Sequence, residues 1–188
     1  ICIIDSKRGD IGSTNQAYFN TFFSSNSAYH CDAITINPWL GIDSIKVFTE
    51  KIGSHQGLFI LVHTSNPGSA DLQKKVLVNG NKVYEELVKM LKPIIRQHKG
   101  KSGLSSIGIV TGATNKKETQ KLRKQLTECP FLIPGFGAQG GTLESARAGL
   151  ISDTKHKNIF NKGIINSSRS LCFPKEAGKT STIKDWKK

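Results

Sequence analysis

The sequence predicts an α/β protein of the (β/α)8 TIM-barrel class, with six of the eight βα units visible in the chain. Short apolar runs rich in β-branched residues recur along it, and segments with helical spacing lie between them. Strict alternation of strands and helices predicts a parallel sheet, which is either an open doubly wound sheet or a closed barrel. Polar residues at the ends of the predicted strands favour the barrel.

The strands and helices are predicted from their length and from their pattern of apolar residues. The strands, in chain order, are ICIID (1–5), AITINP (33–38), GLFILVHTS (57–65), SIGIVTGAT (106–114), FLIPGFG (131–137) and GIINSSR (163–169). The segments between them, predicted to be helical, are QAYFNTFFSS, DSIKVFTEKIGS, NKVYEELVKMLKPIIRQH, NKKETQKLRKQL and TLESARAGL.

Almost every predicted strand ends in polar residues of the kinds that bind ligands or catalyse reactions. An open sheet concentrates its site at one switch point, whereas a barrel draws site residues from the carboxyl ends of many strands. This distribution therefore indicates a barrel. The strand-end residues are Asp5 and Lys7, Asn37, 64–66, 111–114, Gln139, and Ser168 with Arg169.

A chain of 188 residues suits a single domain, which we expect to span residues 1–188. Its only methionine is Met90, and the chain opens within a predicted strand. We therefore expect an upstream segment that supplies the two remaining strands of the barrel. The stretch after Pro174 is predicted to form a terminal helix or a frayed end.

The chain is strongly basic, with 27 Lys and Arg against 14 Asp and Glu, a net charge of +13. Most of the excess lies beyond residue 73, in segments such as NKKETQKLRKQL, whose Leu122 and Leu126 face inward and whose lysines form a polar helix face. Few aromatic residues lie among these basic residues, so we expect no nucleic-acid partner.

The composition also argues against several other classes of protein. No apolar run approaches the roughly 18 residues needed to span a bilayer, and no signal-peptide pattern precedes Asp5. Cys2, Cys31, Cys129 and Cys172 form no CxxC pair, which argues against a zinc site and a disulfide scaffold. We expect a cytoplasmic protein with buried free thiols and no membrane partner.

The stretch DSKRGDIGST places several charges directly after a predicted buried strand. Residues i and i+2 of a strand share a face, so Asp5 and Lys7 are expected to point the same way, about 7 Å apart. Asp10 follows beyond the strand end. An ion pair that closes the barrel is the purely structural alternative, but it does not explain the adjoining Asp-Ile-Gly-x-Thr.

The stretch PGFGAQGG (134–141) contains G-x-G-x-x-G, and NSSR follows at the next strand end. In a barrel, the loops after the last two strands commonly form a phosphate site, where backbone N–H groups and a guanidinium bind the anion. We therefore predict a phosphate site here. A glycine-rich turn beside a surface arginine is the structural alternative.

The segment HTSNPGSADLQ (63–73) has a polar run at a strand terminus, in which Ser65 and Asn66 are candidates to hydrogen-bond a polar ring. Asn-Pro-Gly is also strong turn chemistry, and both interpretations hold together. His63 is predicted to be a packed residue. The histidines share no ligand spacing, so we expect no metal site through histidine.

In this order, the motifs DSKRGDIGST, DAITINPWLG, LVHTSNPGSADLQ, TGAT, LIPGFGAQGG and INSSR resemble the orotidine 5′-phosphate decarboxylase family. The larger bacterial-type subfamily is the most similar, and the resemblance runs from Asp5 to about Arg169. It implies decarboxylation of orotidine 5′-phosphate to UMP in de novo pyrimidine biosynthesis, by a homodimeric barrel without metal or other cofactor.

The resemblance also implies catalytic roles. Asp5 would be the carboxylate set against the substrate carboxylate, and Lys7 the ammonium that stabilises and then protonates the carbanion at C6 of the pyrimidine. Asp10, Ile11 and Thr14 would enter the active site of the partner subunit, where Thr14 touches the ribose. The family has a further lysine on the preceding strand, which is absent from this sequence.

The remaining implied residues bind the substrate. Ser65 would hydrogen-bond to the pyrimidine. The phosphate would be bound by Gln139, Ser168 and Arg169, and the wall of the pocket would be formed by Pro134 and Phe136.

Two alternatives stay open. A related barrel enzyme, a magnesium-dependent sugar-phosphate decarboxylase or synthase, has a similar D-x-K-x-x-D pattern. The other is a non-catalytic basic binding domain, which would bind nucleic acid in a salt-dependent manner and would not bind UMP.

Overall fold

A computed structural model describes residues 1–137, 139–153 and 160–172, and for Phe160 and Ser170 it describes the backbone only. The helix or frayed end predicted after Pro174 lies outside this part of the chain.

All six predicted strands are found, and two short strands that were not predicted form a separate antiparallel pair. The strands are β1 (Ile3–Arg8), β2 (Ala33–Ile36), β3 (Gly57–His63), β4 (Ile107–Thr111), β5 (Phe131–Ile133), β6 (Ile151–Ser152), β7 (Phe160–Asn161) and β8 (Gly163–Ile165). The pair of β6 and β7 lies between β8 and the last predicted helical segment, TLESARAGL.

Five of the helices correspond to the predicted helical segments, and two single-turn helices are additional. They are α1 (Gly12–Phe23), α2 (Ile42–Thr49), α3 (Ser69–Leu72), α4 (Val83–Gln97), α5 (Lys116–Gln125), α6 (Leu143–Arg147) and α7 (Arg169–Cys172). The largest boundary error among the helices is at the end of α2, which was predicted to reach Ser54 and ends at Thr49. Helix α1 was predicted to start at Gln16, four residues too late. It begins at Gly12 because Gly-Ser-Thr-Asn continues the helix toward β1 without an apolar signal.

The main sheet has the strand order β1-β2-β3-β4-β5-β8, and every neighbouring pair is parallel. A doubly wound sheet reverses its strand order at a switch point, and this sheet does not. Side chains from all six strands also line one cavity, which requires the sheet to curl. The predicted barrel class is therefore confirmed, with six strands in the main sheet of the described residues. The strand residues on that lining include Ile3, Thr35, Leu61, Val110, Leu132 and Ile164.

Alternate strand residues pack on opposite faces of the sheet. On β2, Ile34 and Ile36 are buried in the outer core between sheet and helices, whereas Ala33 belongs to a smaller inner cluster. The longest helix, α4, contributes Leu91 and Ile95 to the outer core. This two-sided burial explains why the strands appear in the sequence as continuous apolar runs.

The polar face predicted for the lysines of α5 does not extend to Arg123, which was not predicted to be buried and is only 6% exposed. Its guanidinium donates hydrogen bonds of 2.7–2.8 Å to four backbone carbonyls and lies 3.5 Å from the ring centroid of Phe131. Burial lowers the pKa of Arg123 to about 10. The carbonyls of Leu126 and Gly149 follow α5 and α6, and those of Cys129 and Lys162 precede β5 and β8. Arg123 therefore joins these four elements at the amino ends of the strands.

The cysteines are free, as expected, but only two of them are buried. Cys31 and Cys129 lie in the outer core, whereas Cys2, before β1, and Cys172, at the end of α7, are exposed. No helix in the described part of the chain is long and apolar enough to cross a membrane.

His63, at the end of β3, is fully buried and stacks on Tyr84 of α4 with ring centroids 4.6 Å apart. Neither ring nitrogen has a hydrogen-bond partner within the described ranges. Burial lowers the pKa of His63 from 6.5 to about 4, because a charged imidazolium there would be poorly solvated. His63 is thus a packed residue, as predicted.

This burial should make the protein acid-sensitive between pH 6.5 and 4. In that window the unfolded chain binds a proton at His63 and the folded chain does not, so stability falls as the pH falls. The loss is about 3 kcal/mol for a pKa difference of this size. His63→Phe keeps the stack on Tyr84 and should remove this component, as measured by urea unfolding at a series of pH values. The exposed His30→Gln serves as control. An identical pH dependence in wild type and His63→Phe would contradict the assignment.

Candidate active site

A cavity of about 850 Å³ opens at the carboxyl ends of the six parallel strands. Parallel strands bring their carboxyl ends to one edge of the sheet, so residues distant in sequence meet there. The polar residues on its lining are Asp5, Lys7, Thr35, Thr64, Ser65, Asn66, Gln139, Asn166, Ser168 and Arg169, and Pro134 lines it as well.

Asp5 and Lys7 form an ion pair at this cavity, with side chains 61% and 49% exposed. They face the same way, as predicted, but β1 is not the regular strand that the prediction assumed. Its pairing with β2 passes from Ile4 opposite Ile34 to Arg8 opposite Ile36, so three residues of β1 lie opposite one of β2. Lys7 has a φ of +46°, in the left-handed region that a lysine rarely occupies.

Thr35 is the single residue of β2 opposite this bulge, and sequence reasoning missed it. Its hydroxyl donates to Asp5 Oδ1 at 2.8 Å, and its oxygen accepts the backbone N–H of Lys7 at 2.9 Å. Thr35 is 1% exposed. A polar residue at an inward position of the apolar strand AITI was the available signal.

The loop after β3 is held by the loops after β4 and β5. Ser65 Oγ donates to Gln139 Oε1 at 2.5 Å, and the Ser65 carbonyl accepts from Thr114 Oγ1 at 3.0 Å. The carbonyl of Thr64 accepts from Asn115 Nδ2 at 2.9 Å. A Cβ at Gly112 would lie 2.5 Å from Ser65 Cα, so this position requires glycine. The predicted ring-binding serine therefore has a fixed backbone.

The glycine-rich loop and the residues after β8 enclose a second, smaller cavity of about 150 Å³ beside the first. Gly135 and Gly137 have φ values of +97° and +75°, which the tight turn of this loop requires. Phe136 lines only the smaller cavity and also packs against the outer core. The two cavities share Pro134, Gln139, Asn166, Ser168 and Arg169.

Asp10, Ile11 and Thr14 lie outside the lining of both cavities. Ile11 is 64% exposed, and it precedes α1, which begins just beyond β1. The loop is anchored by the fully buried Asn15, whose Oδ1 accepts the Asp10 N–H at 2.8 Å and whose amide donates to the Ser44 carbonyl at 2.9 Å. Asn15 was not predicted. The entry of the Asp10 loop into a partner's site stays a prediction.

Both carboxylate oxygens of Asp5 already have partners, Thr35 on Oδ1 and Lys7 on Oδ2. Within residues 1–137, 139–153 and 160–172 there is no group of three His, Cys, Asp or Glu side chains arranged to hold a metal ion. Asp5, Lys7 and Arg169 thus bring a carboxylate, an ammonium and a guanidinium to the lining of one cavity.

Together, the fold and the cavity define a barrel whose carboxyl-end site carries a charged pair and a glycine-rich loop. Comparison with known proteins gives the family. The chain belongs to the Orotidine 5′-phosphate decarboxylase / HUMPS family, whose sequence profile matches residues 1–179.

Curated relatives include the orotidine 5′-phosphate decarboxylases of Clostridium perfringens strain 13 and Haloarcula marismortui. The first is 40% identical over 94% of this chain and 59% of the relative, and the second is 38% identical over 95% and 58%. The chain therefore spans less than two thirds of the length of these relatives.

Solved structures give the same picture. The OMP decarboxylase of Leishmania donovani is 30% identical, with a TM-score of 0.70 over 94% of this chain and 64% of that one. A putative orotidine-monophosphate-decarboxylase of Toxoplasma gondii is 28% identical, with a TM-score of 0.76 over 94% and 63%.

Proposed function

We propose that this chain carries the catalytic centre of an orotidine 5′-phosphate decarboxylase, a carbon–carbon lyase that forms UMP in de novo pyrimidine biosynthesis. The observation that carries the proposal is the Asp5–Lys7 ion pair on the same cavity as Gln139 and Arg169. The family membership and the names of the relatives support it.

Lys7 would act on the reacting carbon. When the bond from C6 of the pyrimidine to the carboxylate breaks, CO2 leaves and the electron pair remains on C6 in an orbital that the ring does not delocalise. The Lys7 ammonium stabilises that charge and transfers a proton to C6, which completes UMP. Asp5 lies against the substrate carboxylate and holds Lys7 in place. Because these charges are fixed before the reaction, they need little reorganisation in the transition state.

The other end of the cavity would bind the rest of the nucleotide. We assign the pyrimidine to Ser65 and the phosphate to Gln139 and Arg169, with the backbone near Ser168. Pro134 and Phe136 would wall the pocket. The support is that Ser65 and Gln139 are already hydrogen-bonded to each other, so the ring site and the phosphate site share one framework.

We also propose a homodimer in which Asp10, Ile11 and Thr14 complete the partner subunit's site. The exposure of Ile11 and the position of this loop outside its own cavity support that arrangement. The bacterial-type subfamily and the cytoplasmic location belong to the same proposal.

The magnesium-dependent alternative is less well supported, because the relatives cited are named orotidine 5′-phosphate decarboxylases and both oxygens of Asp5 are engaged. A chelator separates the two. Activity on orotidine 5′-phosphate that survives EDTA supports the proposal, and activity restored only by Mg²⁺ supports the alternative.

Lys7→Ala should lower CO2 release from orotidine 5′-phosphate by about 100- to 1,000-fold or more, because the developing charge at C6 loses its stabilising partner. UMP binding, measured by calorimetry, should remain. Lys124→Ala on the exposed face of α5 is the control and should behave as wild type. Normal turnover by Lys7→Ala would exclude its role, and an inactive wild type would exclude the function.

Arg169→Ala should weaken UMP binding by about 1.5–3 kcal/mol, roughly 10- to 150-fold, because a charge-assisted contact to the phosphate is lost. Uridine, which lacks the phosphate, should bind both proteins equally. Arg169→Lys should fall between them, because an ammonium keeps the charge but not the paired donors. Unchanged UMP affinity in Arg169→Ala would remove this residue from the phosphate site.

Mixing Asp10→Ala and Lys7→Ala subunits tests the shared site. Each variant alone should be inactive, whereas a mixed dimer contains one site with neither change. Random exchange should recover about one quarter of the wild-type rate, given two-fold symmetry. Lys7→Ala mixed with itself is the control. Failure to recover activity, with exchange verified by mass spectrometry, would indicate that each site is built within one chain.

A further inference from the structure

Within residues 1–137, 139–153 and 160–172, the Thr35 side chain is the one that hydrogen-bonds to both Asp5 and Lys7, the members of the charged pair. Its O–H points to Asp5 Oδ1 at 2.8 Å, while the same oxygen accepts the Lys7 N–H at 2.9 Å. Thr35 is 1% exposed, so its hydroxyl is shielded from water. A third contact, from Ser6 Oγ to the Thr35 carbonyl at 2.9 Å, ties the middle of the bulge to the same residue.

The bulge needs such an anchor. Three residues of β1 lie opposite Thr35, so the regular ladder of backbone hydrogen bonds is interrupted there. The Lys7 N–H is bonded to a side chain instead of a carbonyl, and Lys7 holds a φ of +46°. A lysine stays in that conformation only when its surroundings impose it.

The hydroxyl also fixes how the Asp5 carboxylate is rotated. With Oδ1 held by Thr35, Oδ2 is the oxygen left to contact Lys7 Nζ. Without the hydroxyl, the half-exposed carboxylate is free to rotate toward solvent, and the ammonium loses its partner in the orientation that faces the cavity.

We infer that Thr35 is a positioning residue, which sets the Asp5 carboxylate and the Lys7 backbone in the arrangement that the reaction uses. The inference rests on the proposed function, since it concerns the same site. The proposed phosphate contacts come from Gln139 and Arg169 and not from Thr35. Loss of the Thr35 hydroxyl should therefore affect the chemical step more than substrate binding.

Thr35→Val keeps the shape and the β-branch but has no hydroxyl, and Thr35→Ser keeps the hydroxyl. With orotidine 5′-phosphate, Thr35→Val should show a kcat about 10- to 100-fold lower, as expected for loss of a hydrogen bond to a charged group, with little change in KM. Thr35→Ser should retain most of the wild-type kcat. Equal kcat in Thr35→Val and wild type, or equal losses in Val and Ser variants, would overturn the inference.

A second measurement does not depend on activity. Hydrogen exchange of the Lys7 amide, followed by NMR, should be faster in Thr35→Val than in wild type and close to wild type in Thr35→Ser. If wild type lacks decarboxylase activity, the proposed function fails, while this exchange still tests the positioning role. Unchanged exchange in Thr35→Val would contradict the geometry.

Thermal unfolding checks that the variants are folded. Should Thr35→Val not fold, Thr35→Cys, whose thiol is a weaker donor and acceptor, replaces it. Its kcat should lie below that of Thr35→Ser, and its Lys7 amide should exchange faster. A Cys variant equal to wild type in both measurements would overturn the inference.

Discussion

The contact between Lys7 and Asp5 at the end of β1 is the interaction on which the rest of the site depends. An ion pair as exposed as this one contributes about 0–1 kcal/mol to stability. The left-handed backbone of Lys7 costs of order 1–3 kcal/mol. The backbone strain at Lys7 therefore lowers the free energy of unfolding by more than the ion pair raises it. Such a balance is expected where a charged group is held ready for chemistry, and it is not expected of a pair that merely closes a barrel.

The main sheet is held by contacts at both ends of its strands. At the amino ends, the buried guanidinium of Arg123 joins segments near β5 and β8 through backbone carbonyls. At the carboxyl ends, the loops after β3, β4 and β5 are packed together around Ser65, with Gly112 in close contact. Both ends are tied by hydrogen bonds, and the carboxyl end presents the charged pair and Arg169 to one cavity.

The strands, and the meeting of most candidate site residues on one cavity, could be predicted from the sequence because both depend on strong local patterns. A strand buried on two faces is a short apolar β-branched run, and polar residues directly after it fall at the sheet edge. The bulge in β1 could not be predicted from the pattern of apolar residues, because that pattern does not show which residues of two neighbouring strands lie opposite each other. Thr35 was missed for that reason.

Other errors have equally specific causes. The burial of Arg123 was not predicted because helical spacing treats arginine as polar, whereas its guanidinium donates to four backbone carbonyls. The start of α1 was missed because its first turn lacks apolar residues. Asn15 gave no signal because its importance lies in hydrogen bonds to the backbone of Asp10 and of Ser44.

The central claim is that one nucleotide spans the cavity from the charged pair to the guanidinium. A crystal structure of the protein with bound UMP tests it most directly. The account predicts that C6 of the pyrimidine lies within contact distance of Lys7 Nζ and that the phosphate is bound by Arg169 and Gln139. A nucleotide bound in the reverse orientation, or outside this cavity, would contradict it.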